Sequence, residues 1–424
     1  MKRSLMARSL GVTAALALLV SGCGEAATDS TATSATSTPT TIDSAIGTQF
    51  SGGKPGKASD SQSPIKVGLI NQEGGTISNP EASAAVRAAF EYINAEQGGI
   101  GGHPLQVEVC KVTSSEESAQ QCAQKFLNDS SIDVVMQGGL NVGTDAVHQT
   151  LNGAKPDVIA LANPGTDLSA KNAFAVNPSV IAALPGLATY AKSKGYKSIG
   201  IVSGSDAGSL SIAQTAQGIL NGFGITSKVT TYPSGSTDLT SAYSAALSAK
   251  PDAIAPLDTT TAGCTATAKA LQSIGSTVPI VASSLCLTDQ IKTALGDFPK
   301  WAYESTVLSL YAPDETGQLD FYKAVMSKYA GKDAQLGISA PQAFGAAFLL
   351  ANVLNMVGPD KVTPASVSSA LAAYTGGVLL GTPKVAFGSM AERGMPTLSG
   401  TADRFYTYSG DGKWASTPWQ GLPQ

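Results

Sequence analysis

The sequence predicts an α/β protein made of two doubly wound lobes, and three observations carry that prediction. Residues 65–109 read as strand, loop, helix, turn and strand. The same alternation continues to about residue 282, and Gly or Pro punctuates each unit. A strand–helix–strand crossover obliges a parallel sheet, and the loops leaving the strands' carboxyl ends are where such sheets hold ligands.

The first unit shows the reasoning in full. Ile65–Ile70 is β-branched and of strand length, and a polar loop, Asn71–Pro80, follows it. Pro80 and Glu81 suit a first helical turn, where a missing N–H costs nothing and negative charge meets the dipole. Val86, Ala89, Phe90 and Ile93 then recur at helical spacing, so one face is buried. Asn94–Gly102 stops that helix, and Leu105–Val109 alternates like a second strand. Further on, Ile132–Met136 reads as a strand, Asp145–Gly153 as a helix, Asp157–Leu161 as a strand, and Phe174–Asn177 closes the first lobe. In the second lobe Ser179–Gly195, Gly208–Phe223, Leu239–Ala249 and Thr261–Gly275 read as helices. Ser198–Ser203, Ala253–Pro256 and Pro279–Ala282 read as strands.

The Ile65–Ile70 strand, its polar loop, and the run Tyr92–Leu105 (Y-I-N-A-E-Q-G-G-I-G-G-H-P-L) resemble the opening of a known family. It is the branched-chain amino-acid (Leu/Ile/Val-type) substrate-binding proteins of ABC importers, which have the type I periplasmic binding protein fold. Residues 405–414, F-Y-T-Y-S-G-D-G-K-W, are similar to the family's closing strand and turn. The resemblance implies two Rossmann-like lobes joined by three crossover strands, placed near Asn177, Leu308–Pro313 and Leu380–Lys384. The N-terminal lobe is then 64–177 plus 312–380, with helices at Phe321–Ala330 and Ala340–Val357, and the C-terminal lobe is 178–311 plus 381–424.

Ahead of these lobes the chain reads differently. Lys2, Arg3 and Arg8 precede an apolar stretch, Leu10–Val20, too short to span a bilayer. Val20-Ser21-Gly22-Cys23 resembles a bacterial lipobox, which implies a signal peptide over 1–22 and a lipid on Cys23; a plain secretory signal is the alternative. Loss of that segment leaves 24 cationic against 31 acidic residues, a net charge of −7. Residues 23–63, rich in Ser, Thr, Ala and Gly, read as a disordered tether with a reach of about 35 Å. Gly52–Lys57 superficially resembles a phosphate loop, but position 51 is Ser and no hydroxyl residue follows Lys57.

Composition narrows the chemistry. Charged residues are 14% of the chain, no basic patch suggests nucleic acid, and two histidines make His-based metal or triad chemistry improbable. Of five cysteines, Cys23 belongs to the lipobox, leaving four for an oxidising compartment. Neighbouring elements pair Cys110 with Cys122 and Cys264 with Cys286, although sequence alone leaves connectivity open. A Cys-based metal site lacks both CxxC spacing and histidine partners. No metal and no cofactor is expected.

Loops at strand ends supply the candidate ligand contacts. In the first lobe these are Glu73, Gly139, Asn141, Thr144, Asn163, Gly165 and Thr166; in the second, Asp206, Asp258 and Thr260. Small and hydroxyl residues at helix N-termini expose N–H groups to an anion. The resemblance implies the same use, with Gly138–Thr144 and Asn163–Thr166 matching loops that bind a ligand carboxylate. Tight turns and N-caps are the competing explanation for the glycines, and solvated caps for Asp206 and Asp258. Members for aliphatic amino acids carry a Tyr where this chain has Ala207, and often a Tyr and an acid where it reads Leu257–Thr261. A small amide-like or polar ligand is therefore as tenable as a hydrophobic amino acid.

The expectation is a non-enzymatic, monomeric, lipid-anchored solute-binding protein on the outer face of the bacterial cytoplasmic membrane. It would capture a small amino-acid-like, amide or carboxylate ligand by lobe closure and serve an ABC permease. A ligand sensor feeding a membrane kinase is the alternative. A secreted hydrolase ranks lower, since neither Ser203 nor Ser205 lies in a G-x-S-x-G turn.

Overall fold

The computed structural model describes residues 41–423, apart from 76, 77, 114, 179, 259 and 338. The lipobox, Cys23 and the first part of the expected tether lie outside the described residues.

The chain opens with α1 (Ser44–Ser51), then β1 (Ile65–Gln72), α2 (Pro80–Glu96), β2 (Leu105–Val112), α3 (Glu116–Asn128) and β3 (Ile132–Gln137). Next come α4 (Thr144–Leu151), β4 (Asp157–Leu161) and β5 (Ala173–Asn177). These strands form one parallel sheet in the order β2-β1-β3-β4-β5, the crossover pattern the sequence demands. Gly68 in the middle of β1 has a packing reason. A Cβ there would sit 2.7 Å from the Phe126 ring, so its absence lets α3 lie close on the sheet.

The second lobe runs α5 (Val180–Ser193), β6 (Ser198–Gly204), α6 (Ala207–Gly222), β7 (Thr226–Tyr232) and α7 (Thr240–Ser248). It continues through β8 (Ala253–Pro256), α8 (Thr261–Ile274), β9 (Val281–Ser283), α9 (Asp289–Leu295) and β10 (Ala302–Ser305). The chain then returns to the first lobe for α10 (Gln318–Val325), which runs into a π-helical turn, α11 (Ala340–Val357) and α12 (Pro364–Ala373). It ends in the second lobe as β11 (Arg404–Tyr408) and β12 (Trp414–Ser416). Here β7-β6-β8 and β9-β10-β11-β12 are bonded sets, bridged in parallel at Ile254 and Ile280. Apolar α11 is long enough to cross a bilayer by length and composition, yet it is the central core helix of the first lobe. Phe344 and Phe348 on α11 pack with Tyr92 and Phe321, ring centroids 4.9–6.4 Å apart.

Two expectations need correction. The stretch expected to be a tether is ordered from residue 43. Asp43 caps α1 by accepting from the Ala45 N–H, and Ile46 and Phe50 are buried in the first-lobe core with Ile42 packed against it. Asn352 and Asn355 on α11 donate to the Phe50 and Ser51 carbonyls. The Lys54, Gly56 and Ala58 N–H groups bond back to residues 94–97. Ile42, Ile46 and Phe50 recur every fourth residue, and that stripe outweighs the polar average around it.

The last return to the second lobe also lies later than Leu380–Lys384. Residues 385–399 stay with the first sheet: Leu398 bridges Ala175 of β5 in parallel, and Val385 sits in the first-lobe core. An edge strand offers unpaired backbone groups, and the 397–399 segment covers those of β5 through Ala175 N–H to Thr397 O and Ser399 N–H to Ala175 O. The crossing therefore falls between Ser399 and Arg404.

Both expected disulfides are present. Cys110–Cys122 ties β2 to α3, and Cys264–Cys286 ties α8 to the turn after β9. Loops of 12 and 22 residues imply about 3 kcal/mol of stabilisation each from chain-entropy loss. Replacing either pair by alanines should lower the urea midpoint accordingly, with the reduced parent as control; an unchanged midpoint would remove this contribution.

Candidate functional site

A cavity of about 110 Å³ lies where the two lobes face each other. The first lobe contributes Leu161 at the end of β4, Pro178 just after β5, and Gln342 in the first turn of α11. From the second lobe come Ala183, Leu184 and Leu187 on α5, residues 255–258 at the end of β8, and residues 281–285 at the end of β9. Glu304, Ser305 and Thr306 close it where the chain leaves β10 for the first lobe. The carboxyl ends of β4, β8, β9 and β10 thus converge on one space, where parallel α/β sheets place ligands.

Apolar side chains predominate in the lining; the polar ones are two acids, Asp258 and Glu304, the Gln342 carboxamide, and the hydroxyls of Ser209, Ser283, Ser284, Ser305 and Thr306. Asp258 is buried and accepts from the Tyr232 hydroxyl and the Thr267 Oγ1, both at 2.5 Å. Burial raises its pKa, and the two hydrogen bonds offset part of that rise. Glu304 lies beside Asp403, which is fully buried. Burial, and then the neighbouring acid, raise the Glu304 pKa well above the usual carboxylate range. Burial pushes Asp403 up to about 6, the bond to Glu304 offsetting some of it. No other donor among the described residues reaches Glu304 Oε1 or either Asp403 oxygen. The hydrogen these two acids share is thus a carboxyl proton, because like charges in one buried site do not both ionise. Gly186 makes the arrangement possible. A Cβ on it would stand 1.6 Å from Asp403 Oδ2, so the bare backbone of α5 admits the carboxyl. In the same lining, Gln342 Oε1 is also buried without a hydrogen-bond partner.

Residues 64–396 match the model of the periplasmic binding protein family. The chain belongs to that family. No curated protein matches it in sequence. Among solved structures it is similar to the ABC transporter substrate-binding protein of Desulfitobacterium hafniense in complex with Leu. That match has 21% identity, covers 84% of this chain and 100% of the other, and has a TM-score of 0.65. It is also similar to an R. palustris solute-binding protein in complex with 4-hydroxybenzoate, with 14% identity, 85% and 98% coverage, and a TM-score of 0.67. A fatty acid ABC transporter substrate-binding protein from Thermomonospora curvata matches with 16% identity, 88% and 95% coverage, and a TM-score of 0.65. These likenesses establish the type I periplasmic binding protein fold.

Of the ligand contacts expected from sequence, this periplasmic binding protein brings Asp258 to the cavity. The others are engaged elsewhere or stand at its surface. Glu73 accepts from Ser83 and Asn71 and pairs with Lys111 Nζ at 2.8 Å. Gly139 donates its N–H to Asn71 Oδ1 and presents its carbonyl to Asn79, so its closeness is a packing feature. Asn163 donates to the Leu140 carbonyl, and Thr166 donates to Asp145. Gly165 has φ of +106° in the same turn, and Thr144 opens α4 behind Gly143. Asn141 is exposed, with its N–H bonded to Gln72. Asp206 caps α6, its pKa lowered to about 2 by the Ser209 N–H and the Ser234 hydroxyl, and Thr260 caps α8. Asp206 thus fits its capping alternative, and the Thr260 hydroxyl is likewise used in a cap.

The two histidines are satisfied internally. His148 is held between Asp167, 2.7 Å from Nε2, and Asp157, 3.4 Å from Nδ1, while His103 Nδ1 bonds the Ser63 carbonyl. Ser203 Oγ donates to the Ser209 carbonyl. No group of three or more metal-ligating side chains occurs among the described residues.

Glu73 yields a pH prediction. Burial alone would raise its pKa, but the bonds from Lys111, Ser83 and Asn71 outweigh that and lower it below 4.5. A lowered carboxylate contributes stability that is present above its unfolded pKa and lost as pH falls through the folded value. Glu73→Gln should therefore melt below the parent at pH 7, with the gap closing towards pH 3. A gap that stays constant across that range would show the ion pair contributes nothing.

Proposed function

We propose that this chain is the extracytoplasmic solute-binding component of an ABC importer, held at the membrane by a lipid on Cys23. The observation that carries the reading is the cavity itself. Both lobes wall it, it sits among the crossings between them, and its mostly apolar lining is interrupted by acidic, amide and hydroxyl groups. A ligand touching Leu161 and Gln342 on one side and Asp258 and Glu304 on the other favours the closed arrangement by its differential contacts. The bound Leu and 4-hydroxybenzoate of the similar structures, small molecules that combine an apolar body with polar groups, support a ligand of that general size. Asn141 and Thr144, at the same end of the first sheet as Leu161, are first-lobe groups available to such a ligand on closure. The family is one of binding proteins, and the proposed role requires no turnover.

A thermal-shift screen of a chain spanning residues 41–424 tests the reading. The panel holds amino acids, amides, amines, short-chain acids and aromatic carboxylates. Binding at a hundredfold excess over Kd stabilises the native state by about 2.7 kcal/mol, which moves the midpoint measurably. Loss of cellular uptake of the hit on deleting the gene would establish import; retained uptake would favour the sensor alternative. Silence of a folded protein across the panel would count against solute binding.

A further inference from the structure

A second cavity, of about 530 Å³, is formed where α1, the 374–383 segment and the start of β11 meet. It shares no lining residue with the cleft between the lobes. Along α11, Gln342 lines the cleft and Asn352 lines this cavity, a separation of about 15 Å on the helix axis. The volume falls within the range of about 300–1,000 Å³ usual for small-molecule sites. Phe50, Leu308, Tyr374, Val378 and Trp419 make much of the wall apolar or aromatic. Arg404 is the one charged side chain in the lining, which contains no Asp or Glu.

Arg404 opens β11, directly after the third crossing. Its half-buried guanidinium lies over Tyr406 and Trp419, 4.8 and 5.6 Å from the ring centroids. Nε is enclosed without a partner. The two terminal nitrogens are not enclosed, and among the described residues no hydrogen bond or ion pair engages them. A guanidinium positioned by ring faces and lacking a counter-ion presents the fork that a carboxylate fills with two parallel hydrogen bonds. Another wall of the cavity is equally fixed. Leu380 stands at φ +64°, a conformation bulky residues avoid, with its N–H bonded to Gln318 Oε1 at 2.7 Å and its carbonyl to the Leu308 N–H at 2.6 Å.

We propose that this cavity is a second ligand site, separate from the cleft, for a monocarboxylate on an apolar body. Arg404 Nη1 and Nη2 donate to the carboxylate, and the body lies against Phe50, Tyr374 and Trp419. A single cation matches a single negative charge. A phosphate, carrying about −1.5 to −2, would retain charge that nothing else in the lining neutralises.

Three probes with one skeleton, 4-phenylbutanoate, 4-phenylbutanamide and 4-phenylbutyl phosphate, test this by titration calorimetry on a chain spanning residues 41–424. The acid should bind at least about tenfold tighter than the amide, a difference of about 1.4 kcal/mol, and tighter than the phosphate. Arg404→Gln should weaken acid binding at least about tenfold and remove its advantage over the amide. Gln49→Trp, at an exposed position of the lining, should also weaken it at least about tenfold by filling the space. Circular dichroism melts show whether each variant is folded, and Gln49→Trp decides if Arg404→Gln is not. Ser284→Trp, which fills the cleft instead, should leave the acid's affinity unchanged. The proposal is overturned if the amide or the phosphate matches the acid, or if acid binding survives in folded Gln49→Trp or folded Arg404→Gln. Loss of acid binding in Ser284→Trp would place the acid in the cleft and overturn it too, as would failure of all three probes to bind. The importer reading is judged separately, by the wider panel.

Discussion

Ser284→Trp should abolish ligand binding while leaving the fold intact. Ser284 lines the cavity, is half-buried, and uses its backbone rather than its side chain to hold the turn, through Leu287 N–H to Ser284 O. An indole there has open space to enter, so it fills the volume a ligand would take. The expected loss for any hit from the screen is at least about a hundredfold, or about 2.7 kcal/mol of binding free energy. Titration calorimetry on parent and variant checks it, with circular dichroism melts to show that the variant is folded. Undiminished binding to a folded Ser284→Trp would place the ligand elsewhere.

Truncation supplies the second large effect. A chain beginning at Pro64 keeps every strand of both sheets but loses α1. Ile46 and Phe50, both buried in the first-lobe core, go with it. Burying two such side chains contributes about 3–6 kcal/mol, and the bonds from Asn352 and Asn355 lose their acceptors. The truncated protein should melt at least about 5 °C below the chain beginning at residue 41. Phe50→Ala in the longer chain should reproduce about 3–5 kcal/mol of that loss. Equal melting temperatures would mean that α1 is dispensable.

Much of the architecture was legible because it depends on local pattern. Pro80 at the head of α2, the apolar face at Val86, Ala89, Phe90 and Ile93, and the limits of β8 follow from periodicity and punctuation, while α11 was placed through the family resemblance. The cysteine pairs followed from neighbouring elements in the crossover. The tether reading failed at α1 because composition was averaged over forty residues, which diluted three apolar residues at helical spacing. The late third crossing was hidden for another reason. Only the folded sheet reveals that β5 has an edge for residues 397–399 to cover.

The candidate site was less legible than the fold. Asp258 could be picked out from its place after β8, but Glu304 and Gln342 could not, since strands and helices distant in sequence create the cavity between them. A local signal did exist for Glu304. It is the lone acid in Ala302–Ser305, a strand whose other members are buried. An acid held in such a strand needs a partner, and here that partner is another acid from the third crossing. Asp206 and Thr260 were ambiguous for a physical reason: the same oxygen that caps a helix can face a ligand, and local sequence does not say which it does.

A crystal structure of residues 41–424 with the strongest hit from the screen tests the central claim most directly. The account predicts ligand density between the lobes, touching Gln342 from the first and Glu304 from the second, with the apolar part against α5. Density confined to one lobe's surface, with the cavity between β4, β8, β9 and β10 unfilled, would contradict it.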